Sequence, residues 1–172
     1  MKAAVNSTLL LTTMVLAACF GLGTTTAQAE ISDADKAFLD TMAASDMAEI
    51  ELSRVATSQS LSPQVRDFAQ TIALDHGENY QALLALCSDK KYAIAPRVDA
   101  AHGEVMRRVS SADSPEAADR AYLDAVAADQ ATIDSLLEKT AGNSNDADIS
   151  RFAADTLTAV KNHETSARQL TK

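Results

Sequence analysis

The sequence has no tryptophan, five glycines, three prolines and two cysteines among its 172 residues. So few glycines and prolines leave little turn chemistry for a fold of many short strands, and aromatic and β-branched strand formers are sparse as well. Alanine is abundant instead, which favours helix almost throughout. No ten-residue stretches of alternating polarity occur, so nothing suggests a membrane β-barrel. Basic charge is short too: 15 Lys and Arg face 24 Asp and Glu, a net charge of −9. That balance argues against binding nucleic acid or anionic lipid headgroups, and favours solubility and attraction of cations.

The first thirty residues differ from the rest. Lys2 precedes the apolar run "LLLTTMVLAACFGLG" and the small polar stretch "TTTAQAE", the layout of a secretory signal. The run is too short for a membrane span of about 20 residues. Two cleavages stay open. Ala27-Gln28-Ala29 fits ordinary signal peptidase and leaves a chain starting at Glu30, whereas Leu16-Ala17-Ala18-Cys19 is similar to a lipobox, with Cys19 as the lipidated terminus. The finished polar region after the apolar core favours the first. Residues 1–29 are thus expected to be removed and residues 30–172 to form a single domain. Losing Lys2 changes the net charge from −9 to −10. Cys87 alone then remains, so no internal disulfide forms; it continues an apolar helical stripe and reads as a buried small hydrophobe.

Helical periodicity divides the remainder. A first helix starts after Ser32 and runs to about Gln59, with Phe38, Met42, Leu52 and Ala56 on one face. "LSPQV" supplies Ser62 as cap and Pro63 as first residue of a second, which runs to about Asp89 through Val65, Ala69, Ile72, His76, Leu83 and Leu86. The linker "DKKYAIAPRVD" leads to a short helix from Ala100 to Val109. "DSPEAADRAYL" repeats the start signal at Ser114 and Pro115, and that helix is expected to end near Thr140 at "AGNSND", with Gly142 as the stop. A last helix starts near Asp146 or Asp148 and carries Ile149, Phe152, Val160, Ala167 and Leu170. Four long amphipathic helices plus a short one in the longest connection describe an all-α four-helix bundle.

Polar residues interrupt the apolar faces at one level. Sliding the second helix by 54 residues onto the fourth pairs Phe68 with Tyr122, Asp75 with Asp129, and His76 with Gln130. Rises of about 1.5 Å per residue place Glu49, His76, Gln130 and His163 near a common height. A carboxylate and two imidazoles are ligands of the right type for iron, manganese, zinc or copper, so Glu49, His76 and His163 are the candidate metal set. However, the Glu-x-x-His pair of dinuclear carboxylate centres is missing, because Ala73 and Val160 stand three residues before the two histidines. The plainer expectation is a buried polar layer that hydrogen-bonds internally and fixes the bundle's register. Asp75 belongs at the stripe edge or in solvent, and His102 is expected to be exposed and without a role. Gly77 is taken to admit a close neighbour or mark a bend. Catalysis has no positive support: there is no serine elbow, phosphate loop, dinucleotide fingerprint or Cys-x-x-Cys.

The stretch "DKAFLDTMAASDMAEIELSRVATSQSLSPQVRDFAQTIALDHGENYQALLAL", with "RAYLDAVAADQATIDSLLEK" and "RFAADTLTAVKNHETSARQL", resembles the bacterial envelope family called domain of unknown function 4142. Members are often labelled outer membrane proteins and are grouped with the ferritin-like bundles. The resemblance points to Glu49, Glu51, Asp75, His76 and His163 as the functional positions, with Asp129 and Gln130 where the family usually shows a further Asp-His. With the signal layout and the missing catalytic motifs, the expectation is an exported, non-enzymatic protein of the periplasm or cell envelope with a binding or assembly role; the resemblance alone adds the link to envelope stress. The partner would be an unknown envelope protein or a second copy. A ferritin-like metal-binding protein is the alternative, and a module anchored in the outer membrane by lipid at Cys19 is a third.

Overall fold

The computed structural model describes residues 30–60, 62–94 and 97–172. The expected signal, with Cys19 and both cleavage points, lies outside them. The described residues form five helices and no strand: α1 (Asp33–Gln59), α2 (Pro63–Asp89), α3 (Ala100–Ser110), α4 (Pro115–Asn143) and α5 (Ala147–Leu170). None of these helices is long and apolar enough to cross a membrane.

Every helix starts on a short polar side chain that accepts a backbone N–H otherwise left without a partner. Ser32 accepts from Asp35, Ser62 from Val65, Asp99 from His102, Ser114 from Ala117, and Asp146 from Asp148 and Ile149. Pro63 and Pro115 open their helices as expected. The stop of α4 differs from expectation. Gly142 lies inside the helix, no described glycine has positive φ, and the chain leaves through an extended Ser144 whose N–H bonds the Thr140 carbonyl. At the end of α2 the left-handed role usually taken by glycine falls to Lys91 (φ 55°), and Tyr92 N–H reaches back to the Cys87 carbonyl.

Connections of a few residues fold α1 on α2 and α4 on α5 as antiparallel hairpins. The bonds between hairpins give the remaining directions. Ser45 meets Asp129 while Ser53 meets Tyr122, so α1 and α4 are antiparallel. Asp75 meets His163 while Asn79 meets Thr156, so α2 and α5 are too. Hence α2 and α4 run in the same direction across the diagonal, and the chain between them must climb the full length of the bundle. One long crossover of this kind is known from ferritin-like folds. The crossover carries α3, which packs on α1 and α4 with Val109 fully buried.

The core falls into two parts. Leu52, Phe68, Ile72, Tyr122 and Val126 belong to one apolar cluster, and Phe38, Met42, Leu83, Ile133 and Leu137 to the other. Cys87 is a buried free thiol in the second, its pKa pushed up to about 11 by burial. Leu170, expected in the core stripe, is 37% exposed, and the stripe ends at the buried Ala167. Between the clusters lies a belt of polar side chains.

Candidate functional site

The belt is built by residues that recur at helical spacing on inward faces. On α1 these are Ser45, Asp46, Glu49 and Ser53; α2 adds His76 and Asn79, α4 adds Gln130, and α5 adds Thr156 and His163. Asp46 and Gln130 have no exposed surface, and Glu49, His76 and His163 retain 2%, 5% and 6%. Such burial is tolerable only with hydrogen-bond partners.

Those partners form one chain through all four long helices. Thr156 Oγ1 donates to Asn79 Oδ1 at 3.0 Å, and Asn79 Nδ2 donates to Asp46 Oδ2 at 2.9 Å. Asp46 Oδ1 lies 2.8 Å from His76 Nδ1. Across the ring, Gln130 Nε2 is 3.1 Å from His76 Nε2 and 3.5 Å from Glu49 Oε1. An amide NH2 only donates, so in this arrangement His76 Nε2 accepts and its proton sits on Nδ1, donated to Asp46. Protonating His76 requires the Gln130 oxygen on that side. Glu49 can then keep its bond only by becoming a donor itself, so the two protonations are linked through one amide.

The electrostatics follow from burial. Glu49 is pushed up to about 7, first by loss of solvent and then by the nearby Asp129 charge, with His76 opposing. Burial likewise raises Asp46, against the pull of His76 and Asn79. Burial alone would lower His76, but the Asp46 bond and the fields of Glu49 and Asp46 outweigh it, and its pKa is raised.

Two further histidine–carboxylate pairs flank the belt. His163 Nε2 is 2.8 Å from Asp75 Oδ2, and its ring centroid lies 5.5 Å from that of His76. Its pKa is lowered, by burial first and by the charge of His76, so it stays neutral at physiological pH. Asp75 is at the stripe edge, its side chain 45% exposed. On the other face, Asp129 accepts from Ser45 at 2.8 Å and lies 3.2 Å from His102 Nε2. The second nitrogen of His102 makes an ion pair with Asp99 at 2.9 Å without hydrogen-bond alignment. The Asp129 bond and the two carboxylates raise His102 to about 9. His102 is therefore half-buried, charged and tied to α4, contrary to the expectation of an idle exposed residue.

A family model matches residues 21–170. The chain belongs to the family described as Domain of unknown function (DUF4142). No curated protein matches the sequence. Among solved structures, a DUF305 fragment from Deinococcus radiodurans is similar with a TM-score of 0.74 at 12% identity, covering 83% of this chain and 98% of that one. A DUF305 protein from Streptomyces coelicolor, assigned as secreted, is similar with a TM-score of 0.68 at 14% identity, covering 80% and 91%. These likenesses establish an all-helical bundle fold.

Within that fold the sequence-derived candidates separate. Glu49, His76 and Gln130 meet in the belt. His163 stacks beside His76 but bonds Asp75, and Asp129 serves Ser45 and His102. Glu51 is not brought to the belt at all: its half-exposed side chain pairs with Arg54 one turn on. The sequence reasoning missed Asp46 and Asn79, the groups that hold His76. Asp46 is three residues before Glu49 and Asn79 three after His76, so helical spacing alone could have found both.

The candidate metal set does not converge. Both nitrogens of His76 are engaged, while the atoms left without partners, Glu49 Oε2 and His163 Nδ1, belong to residues on opposite faces. Glu49 lines a groove of about 590 Å³ between α1, α3 and α4, and His163 a cleft of about 500 Å³ between α2 and α5. Among the described residues no group of three or more His, Cys, Asp or Glu side chains is placed to hold a metal ion. The donors present do not fit a resident metal.

Proposed function

We propose that this chain is an exported, non-enzymatic bundle of the bacterial periplasm or cell envelope that works by binding, with envelope stress as its setting. Residues 1–29 act in this reading as a signal removed before Glu30. The observation that carries the binding role is the pair of clefts flanking the belt, each lined by a buried residue with a polar atom that no protein group satisfies. Unsatisfied buried groups cost about 1–3 kcal/mol each, a cost that a ligand or ordered water in either cleft would offset.

Osmotic-shock release followed by intact and native mass spectrometry tests both halves of this reading. A chain starting at Glu30 that carries a non-covalent adduct is expected, with the adduct lost when Ala159→Trp fills one cleft or Ala125→Trp the other. Retention of the full-length chain in the cytoplasm would overturn export, and a bare protein in all three forms would overturn binding. A diacylated Cys19 would establish the anchored form in its place.

A further inference from the structure

Acidic side chains outnumber basic ones by 24 to 15, so most cations find a carboxylate. Lys36, Arg54, Lys90, Arg107, Lys161 and Arg168 all do. Arg108 and Arg120, both exposed, form no ion pair among the described residues, and both line the groove between α1, α3 and α4. They stand at one end of it. His102 on α3 meets Asp129 on α4, and residues 111–114 join the two helices, so these run antiparallel and both arginines lie toward the connection. Asp129, farther along, is already held by Ser45 and His102.

We propose that this groove binds a single-chain aliphatic carboxylate, its head held by Arg108 and Arg120 and its tail laid along α4. The inference rests on the binding role proposed above and names the ligand class. The apolar residues lining the groove are all aliphatic, among them Leu52 of α1, Val105 of α3, and Ala117, Ala121, Ala125 and Ala128 at turn-by-turn spacing on α4. Small side chains alone make only a furrow; the two unpaired guanidinium groups at its end select an anion. A guanidinium presents a fork of donors that matches a carboxylate, and it gives up water more readily than an ammonium does.

The shape of the groove sets the tail. From Arg120 to Ala128 the axial rise is about 12 Å, the reach of a medium-length saturated chain. The volume of about 590 Å³ suits a small-molecule site, and methylenes laid on the alanines leave water. The chain's overall negative charge repels an extended anionic membrane. At the groove's end, however, two local cations face the head, and more distant charges are screened beyond roughly 10 Å in salt. A free chain, not a lipid held in a bilayer, is therefore the occupant. Asp124, exposed and one turn beyond Arg120, is the charge that opposes it.

Titration calorimetry on the mature chain with sodium decanoate, sodium acetate, decyltrimethylammonium bromide and phosphatidylglycerol vesicles decides the matter. Decanoate is expected to bind at least about tenfold more tightly than acetate, which is the head alone, or decyltrimethylammonium, which carries the tail with the opposite charge. Arg108→Gln with Arg120→Gln, both exposed and with no ion pair to lose, should weaken decanoate at least about fivefold and leave decyltrimethylammonium no weaker. Asp124→Asn should tighten decanoate, and Ala125→Trp should abolish its binding. Equal binding of the two decyl compounds, indifference to the arginine pair, tighter binding to the vesicles, or no heat with decanoate would overturn the proposal. A native adduct that Ala125→Trp removes would in that last case keep the binding role and discard only the carboxylate.

Discussion

Gly77 sits one residue beyond His76, and a Cβ built there meets nothing within 4 Å. It neither admits a close neighbour nor needs a positive φ, so its missing side chain only loosens α2. Gly77→Ala is expected to raise stability by about 1 kcal/mol, measured by urea unfolding, because alanine holds helical backbone better than glycine. Glu49 shows the opposite balance. Its folded pKa of about 7 lies above the ordinary 4.5, so its contribution is fully present below pH 4.5 and is lost as pH rises through 7. Glu49→Gln should therefore match the native chain near pH 4.5 and exceed it at pH 8.5, by on the order of 2 kcal/mol. A gain independent of pH would show that burial of the charge is not the cause.

At the scale of elements, start signals were the most legible part of the sequence. Ser62-Pro63 and Ser114-Pro115 announce local bonds that need no knowledge of the fold, and both helices begin there. The stop of α4 was not legible, because Gly142 permits a left-handed exit without enforcing one and the helix continues to Asn143. His102 was misread for a related reason: its partner Asp129 belongs to another helix, and no single-helix pattern reports it. That bond fastens α3 to α4. The folded pKa of His102, about 9 against an ordinary 6.5, means that its support is complete below pH 6.5 and is lost as pH climbs through 9. Amide exchange over residues 100–110 should accelerate between pH 6.5 and 9.5 beyond the intrinsic chemical rate. His102→Gln should abolish that excess while costing on the order of 1 kcal/mol at neutral pH, since half-open pairs are screened by solvent.

For the molecule as a whole, the existence of a polar level was legible and its wiring was not. Heights along helices follow from residue counts, so Glu49, His76, Gln130 and His163 could be placed together. Which of them bond depends on rotation about each axis, and the hub proved to be Asp46, a residue hidden among alanines and serines. The crossover direction was equally out of reach, because hydrophobic periodicity carries no information about which helices run parallel.

That crossover makes the chain two hairpins in tandem, α1 with α2 and α4 with α5, joined by a strap over the long side. Neither hairpin can bury its apolar face alone, yet each is the other's template, with Asp46 and His76 on the first and Gln130 on the second. Severing the backbone between Arg97 and Asp99 would leave two pieces whose mutual recognition is written in that half-belt of complementary donors and acceptors. The protein is thus a ready pair of fragments for a split reporter, in which reassembly is scored by the closing of the His76–Gln130 contact.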